Sequence, residues 1–562
     1  MRQRTRPSLR MAAIRILTLI AVLWCGAAFA PRAFADEGAI VIEHPGASDM
    51  RYKAYQLFAA SVDDDGVATT IGWASDEARV TTLDFIQTTG YLEWLAVAHP
   101  EEGQEQIAQN AAEYIALMIG GPNQGVNEAA MPQTNEQTTF SSGLARALAS
   151  NPAMTYETFA SDQDFAAAQG FWLVVADPES LDGENRVGTS PLWIPLGQTM
   201  RAINDKSMTP TVNKDVFETS SGTWGKFADA FRKEPLDFRI TATLPRNLAD
   251  FEHYHLCLID THSDGLQLAL PEGNDVSRAV GITIGDVPLQ VDGANVRVAY
   301  DGKSLTIDFL DLKSDFWGPY DPANNTVITV IYQAQLNERA VVGSAGNSNE
   351  VNLVYSCDPT SDAESTIRST PVKVYTHTLR LHKICSETSR QLSGARFTIK
   401  TLGASARDPR KECYVQADGS LGTTPHEFTT GPDGIAEVQG VDSGDFAIAE
   451  TAAPSGYRRL ESDIQMRIQP TIDETDNHLA KLTATSVSDT AHVSDVSAEG
   501  GVATIAIKNS PAPKPNRPVE RLAQTGVGPI AATLALAGIV VMAIAHLTSR
   551  SRRRPPRRHR SY

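Results

Sequence analysis

Three stretches of the chain place a polar group where an alternating strand should carry an apolar one. In "TLRLHKI" the period-two rule puts Leu379, Leu381 and Lys383 on one face. The same rule aligns Phe446, Ile448 and Glu450 in "GDFAIAETAAPSGY", and Ile505, Ile507 and Asn509 in "ATIAIKN". An amine, a carboxyl and a carboxamide facing a core are costly unless they meet one another. Burial favours the neutral forms of both amine and carboxyl, which makes the first a nucleophile and the second an acid. The layout recurs upstream with other letters. "PTVNKDV" carries Lys214, "HYHLCLIDTHSDGLQL" aligns Leu256, Leu258 and Asp260, and "GNSNEVNLVYS" aligns Asn349, Val351, Leu353 and Tyr355. Asn347 shares the face of Asn349 but falls in the turn, and Asn352 points the other way.

These groups need strands to hold them. Beyond Thr211 the chain runs in short alternating stretches such as "DFRITATLP", "NTVITVIYQAQL" and "ARFTIK", broken by Gly, Asp, Asn and Pro. That pattern predicts antiparallel β-sandwiches. The earlier part is mixed. "GAIVIEH" and "YKAYQLFAA" read as strands, whereas "GQEQIAQNAAEYIALMIG" and "SSGLARALAS" have helical spacing. The expected fold is mainly β, with tandem immunoglobulin-like sandwiches over 206–358 and 374–509 after an α+β domain over 36–205.

The two ends read as instructions rather than structure. Arg2, Arg4, Arg6, Arg10 and Arg15 precede the apolar run "ILTLIAVLW", and small-x-small sites end at Ala30 and Ala35. This makes 1–35 a secretory signal peptide, with cleavage favoured after Ala35. Trp24 before Cys25 argues against a lipidation site. At the other end a Pro-rich spacer (510–521) leads into "LAQTG" (522–526), then an apolar run from Val527 to Leu547 and an arginine-rich tail, together 527–562. The run has the length of a membrane span, and the arginines would stay cytoplasmic. Taken alone it reads equally well as a permanent anchor.

Removing both ends takes away six arginines before Ala35 and seven after Gly526, so the formal charge moves from −18 to −31. Such a surface excludes nucleic acid and anionic lipid as natural partners. Four cysteines remain: Cys257, Cys357, Cys385 and Cys413. Outside the cell they could pair, and proximity in sequence favours Cys385 with Cys413 and Cys257 with Cys357.

Residues 374–509 resemble the collagen-adhesin B-type, or prealbumin-like, domains of Gram-positive pilins. The resemblance rests on "LHKICSETSRQLSGARF", the "ETAAPSGY" box and the closing "KNS". It implies that Lys383 and Asn509 join spontaneously as an isopeptide, with Glu450 assisting by polarising the carboxamide and shuttling protons as ammonia leaves. The middle segment resembles the fimbrial isopeptide-forming domain through "PTVNK", a Tyr254-to-Asp260 spacing and "GNSNEVNLVYS". There Lys214 would be joined, with help from Asp260, to Asn349, chosen for its face, and Cys357 replaces the asparagine the family usually has after "YS". "LAQTG" is similar to the sortase sorting signal, with Ala523 in place of the usual proline. By that resemblance Leu522, Ala523, Gln524, Thr525 and Gly526 are read by a sortase, which cuts after Thr525 and passes it to an amine. The implied partners are sortase, other pilin copies and peptidoglycan.

A shaft subunit also needs a lysine to receive the next copy's Thr525. By position between the first two domains Lys206 is the favoured residue, with Lys226 and Lys233 as alternatives, although the usual "YPKN" motif is missing. The competing reading is a single wall-linked adhesin whose first domain binds a host surface ligand. No enzyme motif, cofactor signature or metal site emerges. "SVDDDGVATT" begins like a calcium loop at Asp63, but its twelfth position is Ala74, and "HYH" at 253–255 has no further ligand in view.

Overall fold

The computed structural model describes residues 37–513, except 44–48, 64–67, 101–106, 120–134, 182, 184–185, 199–200, 205–208, 246, 292, 317–325, 404–407, 409, 474–477 and 489–491. The expected signal peptide, the expected spacer from 514, the expected sorting signal, the apolar run and Lys206 therefore lie outside the described residues. The expected mainly β fold with an α+β first domain is what the chain adopts.

The first domain builds on strand Arg51–Val62, which pairs with Ala68–Trp73, Glu157–Ala160 and Gly170–Ala176; the last of these carries Leu192–Leu196 on its other edge. A second small sheet centres on Glu37–Glu43, flanked by Phe165–Ala168 and, in parallel, by Arg201–Asn204. Helices Ala108–Met118 and Asn135–Ser150 fall where the helical spacing put them. Helices Asp76–Gln87 and Tyr91–Ala98 were not signalled by that spacing. The first starts at Ser75, whose side chain accepts from the amide of Ala78, and its Asp76 and Glu77 suit the positive end of the helix. Tyr55, Leu57, Ile86, Tyr91, Tyr114 and Leu144 close the core between helices and sheet.

The middle domain is a sandwich of two seven-stranded sheets. Its opening strand Val212–Glu218 pairs with Pro235–Thr243, which pairs in turn with Val327–Leu336. The facing sheet holds Leu256–His262 between Ser304–Phe309 and Asn347–Ser356. This domain runs past residue 358. Glu364–Arg368 folds back on Asn347–Ser356, and Val372–Tyr375 is laid between Asn347–Asn349 and Phe227–Asp229. Inward side chains such as Val216, Phe238, Ile240, Leu258, Ile307, Val330 and Leu353 are buried, as the alternation requires.

The last domain packs a four-stranded sheet on a seven-stranded one. Its first strand, His377–Cys385, lies between Ile435–Val441 and the final strand, Val502–Asn509. First and last strands run parallel. Strands Arg396–Thr401 and Gly444–Ala452 of the opposite sheet face them, with Phe397, Ile399, Phe446 and Ile448 meeting Leu379, Leu381, Ile505 and Ile507.

Candidate functional site

Each sandwich buries one lysine completely, and each lysine has a buried acid and a buried asparagine beside it. In the last domain Lys383 is 0 % exposed, Glu450 3 % and Asn509 1 %. Lys383 and Asn509 come from adjacent strands, two positions apart in register, since Lys383 pairs with Ile507 and Cys385 with Asn509. Glu450 reaches in from the other sheet. Its Oε1 lies 3.2 Å from Lys383 Nζ, off hydrogen-bond geometry, and accepts from Asn509 Nδ2 at 2.9 Å. Its Oε2 is fixed by the amide of Leu460 at 2.8 Å. One carboxyl oxygen thus touches both prospective partners. Lys383 Nζ also lies 5.4 Å from the centre of the Phe397 ring. Burial lowers the Lys383 pKa to about 8 against the opposing pull of Glu450. Asn509 Oδ1 has no hydrogen-bond partner among the described residues, leaving the carbonyl open to polarisation.

The middle domain assembles the same groups differently. Lys214 stands in one sheet, while Asp260 and Asn349 stand on neighbouring strands of the other. Lys214 Nζ donates to Asp260 Oδ2 at 2.6 Å and to the hydroxyl of Tyr332 at 2.8 Å. Asn349 Nδ2 donates to that same hydroxyl at 2.8 Å. Tyr332 stacks on Phe238, with centroids 5.4 Å apart and planes 9° off parallel, and Lys214 Nζ lies 5.5 and 5.1 Å from the centres of the Phe238 and Tyr332 rings. Burial lowers the Lys214 pKa, opposed by Asp260, and raises that of Tyr332 well above a phenol's usual value, with the charge of Asp260 adding to the effect. Sequence reasoning passed over Tyr332. Its signal was there: "NTVITVIYQAQL" puts this one hydroxyl on an otherwise apolar inward face, with Ile328, Val330, Ala334 and Leu336.

Asn347 and Asn349 separate cleanly. Asn347 opens the strand rather than lying in a turn, and its carboxamide is consumed by Val341 and Val374: Nδ2 donates to both carbonyls at 3.0 and 3.1 Å and Oδ1 accepts from the Val341 amide at 2.9 Å. Asn349 Oδ1 has no partner among the described residues.

Neither of the expected disulfides is formed among the described residues. Cys385 ends its strand beside Asn509, whereas Cys413 sits by Thr401, whose neighbours Phe446 and Asp445 belong to the other end of the sandwich. Cys357 continues the inward face of Tyr355 into the core, while Cys257 lies between inward-facing Leu256 and Leu258 and so points outward.

Lys226 and Lys233 are both engaged. Lys226 Nζ bonds Asn213 Oδ1 and the Lys214 carbonyl and pairs with Asp215, and Lys233 pairs with Asp418 of the last domain at 2.7 Å. The two histidines of "HYH" are held by carboxylates, His253 by Asp311 at 2.6 Å and His255 by Asp308 and Glu364 at 2.7 and 2.6 Å. No group of side chains suited to a metal ion occurs among the described residues.

Residues 377–483 match the SpaA family of prealbumin-like fold domains, a span that includes Lys383 and Glu450 and ends before Asn509. Over this span the last sandwich is similar to that family of domains. No curated protein sequence matches the chain. Among solved structures, the T6 backbone pilin of serotype M6 Streptococcus pyogenes is similar at 16% identity, with 85% of this chain and 99% of that one covered and a TM-score of 0.49. The full-length major pilin SpaD from Corynebacterium diphtheriae is similar at 12% identity, over 85% and 98% of the two chains, with a TM-score of 0.42. BcpA, the major pilin subunit of Bacillus cereus, is similar at 11% identity over 85% and 99%, with a TM-score of 0.39.

Proposed function

We propose that this chain is a shaft subunit of a sortase-assembled, wall-anchored fimbria, stiffened by autocatalytic isopeptide bonds between Lys214 and Asn349 and between Lys383 and Asn509. The observation that carries this reading is the repeated burial of a lysine with an acid and an asparagine in two successive sandwiches. A lysine with no exposure is costly to keep charged, and conversion to an amide removes the cost permanently. Asp260 and Glu450 assist by taking the lysine proton and supporting the carboxamide.

The bonds suit a strut. In the last domain, tension entering at His377 would pass from Lys383 into Asn509 and leave through the spacer, so the intervening sandwich need not extend. Each bond also closes a loop of well over a hundred residues. Such a closure is worth about 5 kcal/mol through the unfolded state on the loop-entropy model. The sorting signal at 522–526 and an acceptor lysine at Lys206 would join copies to one another and finally to peptidoglycan. A single wall-linked adhesin is the second reading, favoured by the exposed apolar side chains Leu92 and Val97 on a first-domain helix.

Intact-mass measurement of the recombinant mature chain tests the chemistry. Each bond expels one ammonia, about 17 Da, so two losses are expected, one vanishing with Lys214→Ala and the other with Lys383→Ala. An unchanged wild-type mass rejects both bonds. Recovery of only monomer from native wall extracts would favour the adhesin over the shaft.

A further inference from the structure

We infer that Tyr332 is a catalytic residue for the middle-domain bond, relaying a proton from the lysine to the departing nitrogen of Asn349. This deepens the proposed isopeptide chemistry and rests on it. The two sites differ in which oxygen reaches both partners. In the last domain a single oxygen of Glu450 touches both Lys383 and Asn509, and the ring beneath the lysine is Phe397, which has no hydroxyl. In the middle domain Asp260 bonds the lysine, and the oxygen that bonds both lysine and asparagine is the Tyr332 hydroxyl, at 2.8 Å from each. The relay that one carboxyl performs alone in the last domain is divided here between an acid and a phenol.

The position of the ring follows from the fold. Tyr332 lies on a strand separated from that of Lys214 by Pro235–Thr243, and its stacking on Phe238 of that intervening strand directs the hydroxyl across the sandwich to Asn349. With 4 % exposure, the hydroxyl works where bulk water is not at hand to carry the proton.

Asp260 Oδ2 takes one proton from the Lys214 ammonium and leaves a neutral amine. Nζ attacks Cγ of Asn349, a carbon–nitrogen bond forms, and the carbonyl π pair moves onto Oδ1, to return when the leaving nitrogen departs. In the tetrahedral adduct the Nδ2 lone pair is no longer delocalised into the carbonyl, so this nitrogen can accept a proton. Nζ then gives a second proton to Tyr332 Oη while the phenol gives its own to Nδ2, the Cγ–Nδ2 bond breaks and ammonia leaves. The phenol is restored, and Asp260 keeps the proton it took.

The test follows the mass of newly made protein after a short expression pulse, for wild type and Tyr332→Phe. Wild type should lose two ammonias. Tyr332→Phe should lose the one belonging to Lys383 and Asn509 at the normal rate and the other about 100-fold more slowly, the size of a general acid–base contribution. Equal rates for both losses in the variant would overturn the proposal while leaving the bonds themselves established; no loss in wild type would overturn the bonds. Should Tyr332→Phe not fold, as judged by a missing loss in the last domain, 3-fluorotyrosine at 332 keeps the ring and makes the phenol more acidic. A changed rate and pH profile for the middle-domain loss supports the relay, and an unchanged profile overturns it.

Discussion

Lys383 and Asn509 stand on the first and last strands of one sandwich, parallel neighbours in the same sheet and two positions apart in register. Lys214 and Asn349 also belong to the opening strand and to a late strand, yet they face each other from opposite sheets. A bond at the first site would staple two strands edge to edge. A bond at the second would staple the two layers of the sandwich together.

Loss of the edge-to-edge staple should be visible as stability. Asn509→Ala should lower the unfolding free energy of the last domain by about 5 kcal/mol, the closure contribution of so long a loop. Denaturant titration with intrinsic fluorescence measures it; a midpoint equal to that of wild type would mean that no closure exists.

Glu450→Gln keeps the shape but removes the proton carrier that touches both partners. The expected result is a folded chain that retains the ammonia of the last-domain site, with Lys383 still a free amine. Peptide mapping after digestion detects it as the absence of the branched peptide that joins 383 to 509.

The unlinked lysine has a calculable pH signature. Burial holds its folded pKa at about 8, below the usual lysine value of 10.5, so between these limits the unfolded chain binds more protons. Stability of the unlinked form must then rise with pH across that window, by roughly 3 kcal/mol in all. Comparing Asn509→Ala with Asn509→Ala/Lys383→Met isolates this lysine. A difference between the two variants that stays constant from pH 8 to pH 10.5 would contradict the assignment.

The joint between the middle and last domains should respond with the opposite sign. Glu234, Asp408 and Asp442 crowd Arg410 there, and His377 bonds Asp229 at 2.8 Å. Burial raises Glu234 to about 7 and lifts Asp442 well above the carboxyl range, the latter with help from neighbouring carboxylates. The folded form holds extra protons between the ordinary carboxyl value and pH 7, so stability at this joint is greatest in mild acid and is lost as pH rises through 7. Glu234→Gln should flatten that dependence in melts recorded from pH 5 to 8.

Cys257, Cys357, Cys385 and Cys413 should all be alkylated after denaturation without any reductant. In the native state Cys257 and Cys357 should resist, because burial pushes both thiols up to about 12. Mass spectrometry counts the added groups, and fewer than four would reveal a disulfide.

Much of this site was readable from alternation alone. Lys383, Glu450 and Asn509, and likewise Lys214, Asp260 and Asn349, follow apolar residues at steps of two, and a strand cannot turn such a residue outward without turning its whole face. The same rule separated Asn349 from Asn352. It could not separate Asn349 from Asn347, because both lie on the inward face, and only the contacts of Val341 and Val374 distinguish them.

What the amino-acid order by itself determined is local: which face each side chain takes and where strands break. Pairing partners are not local, since strands distant in sequence become neighbours through the packing of the whole sandwich. Only the tertiary structure therefore decided that the last domain joins its first and last strands in parallel, that the middle domain sets lysine and asparagine in opposite sheets, and that Tyr332 arrives between them. For the same reason it placed the cysteines apart, at opposite ends of one sandwich and on opposite faces of one sheet, despite their closeness in the chain.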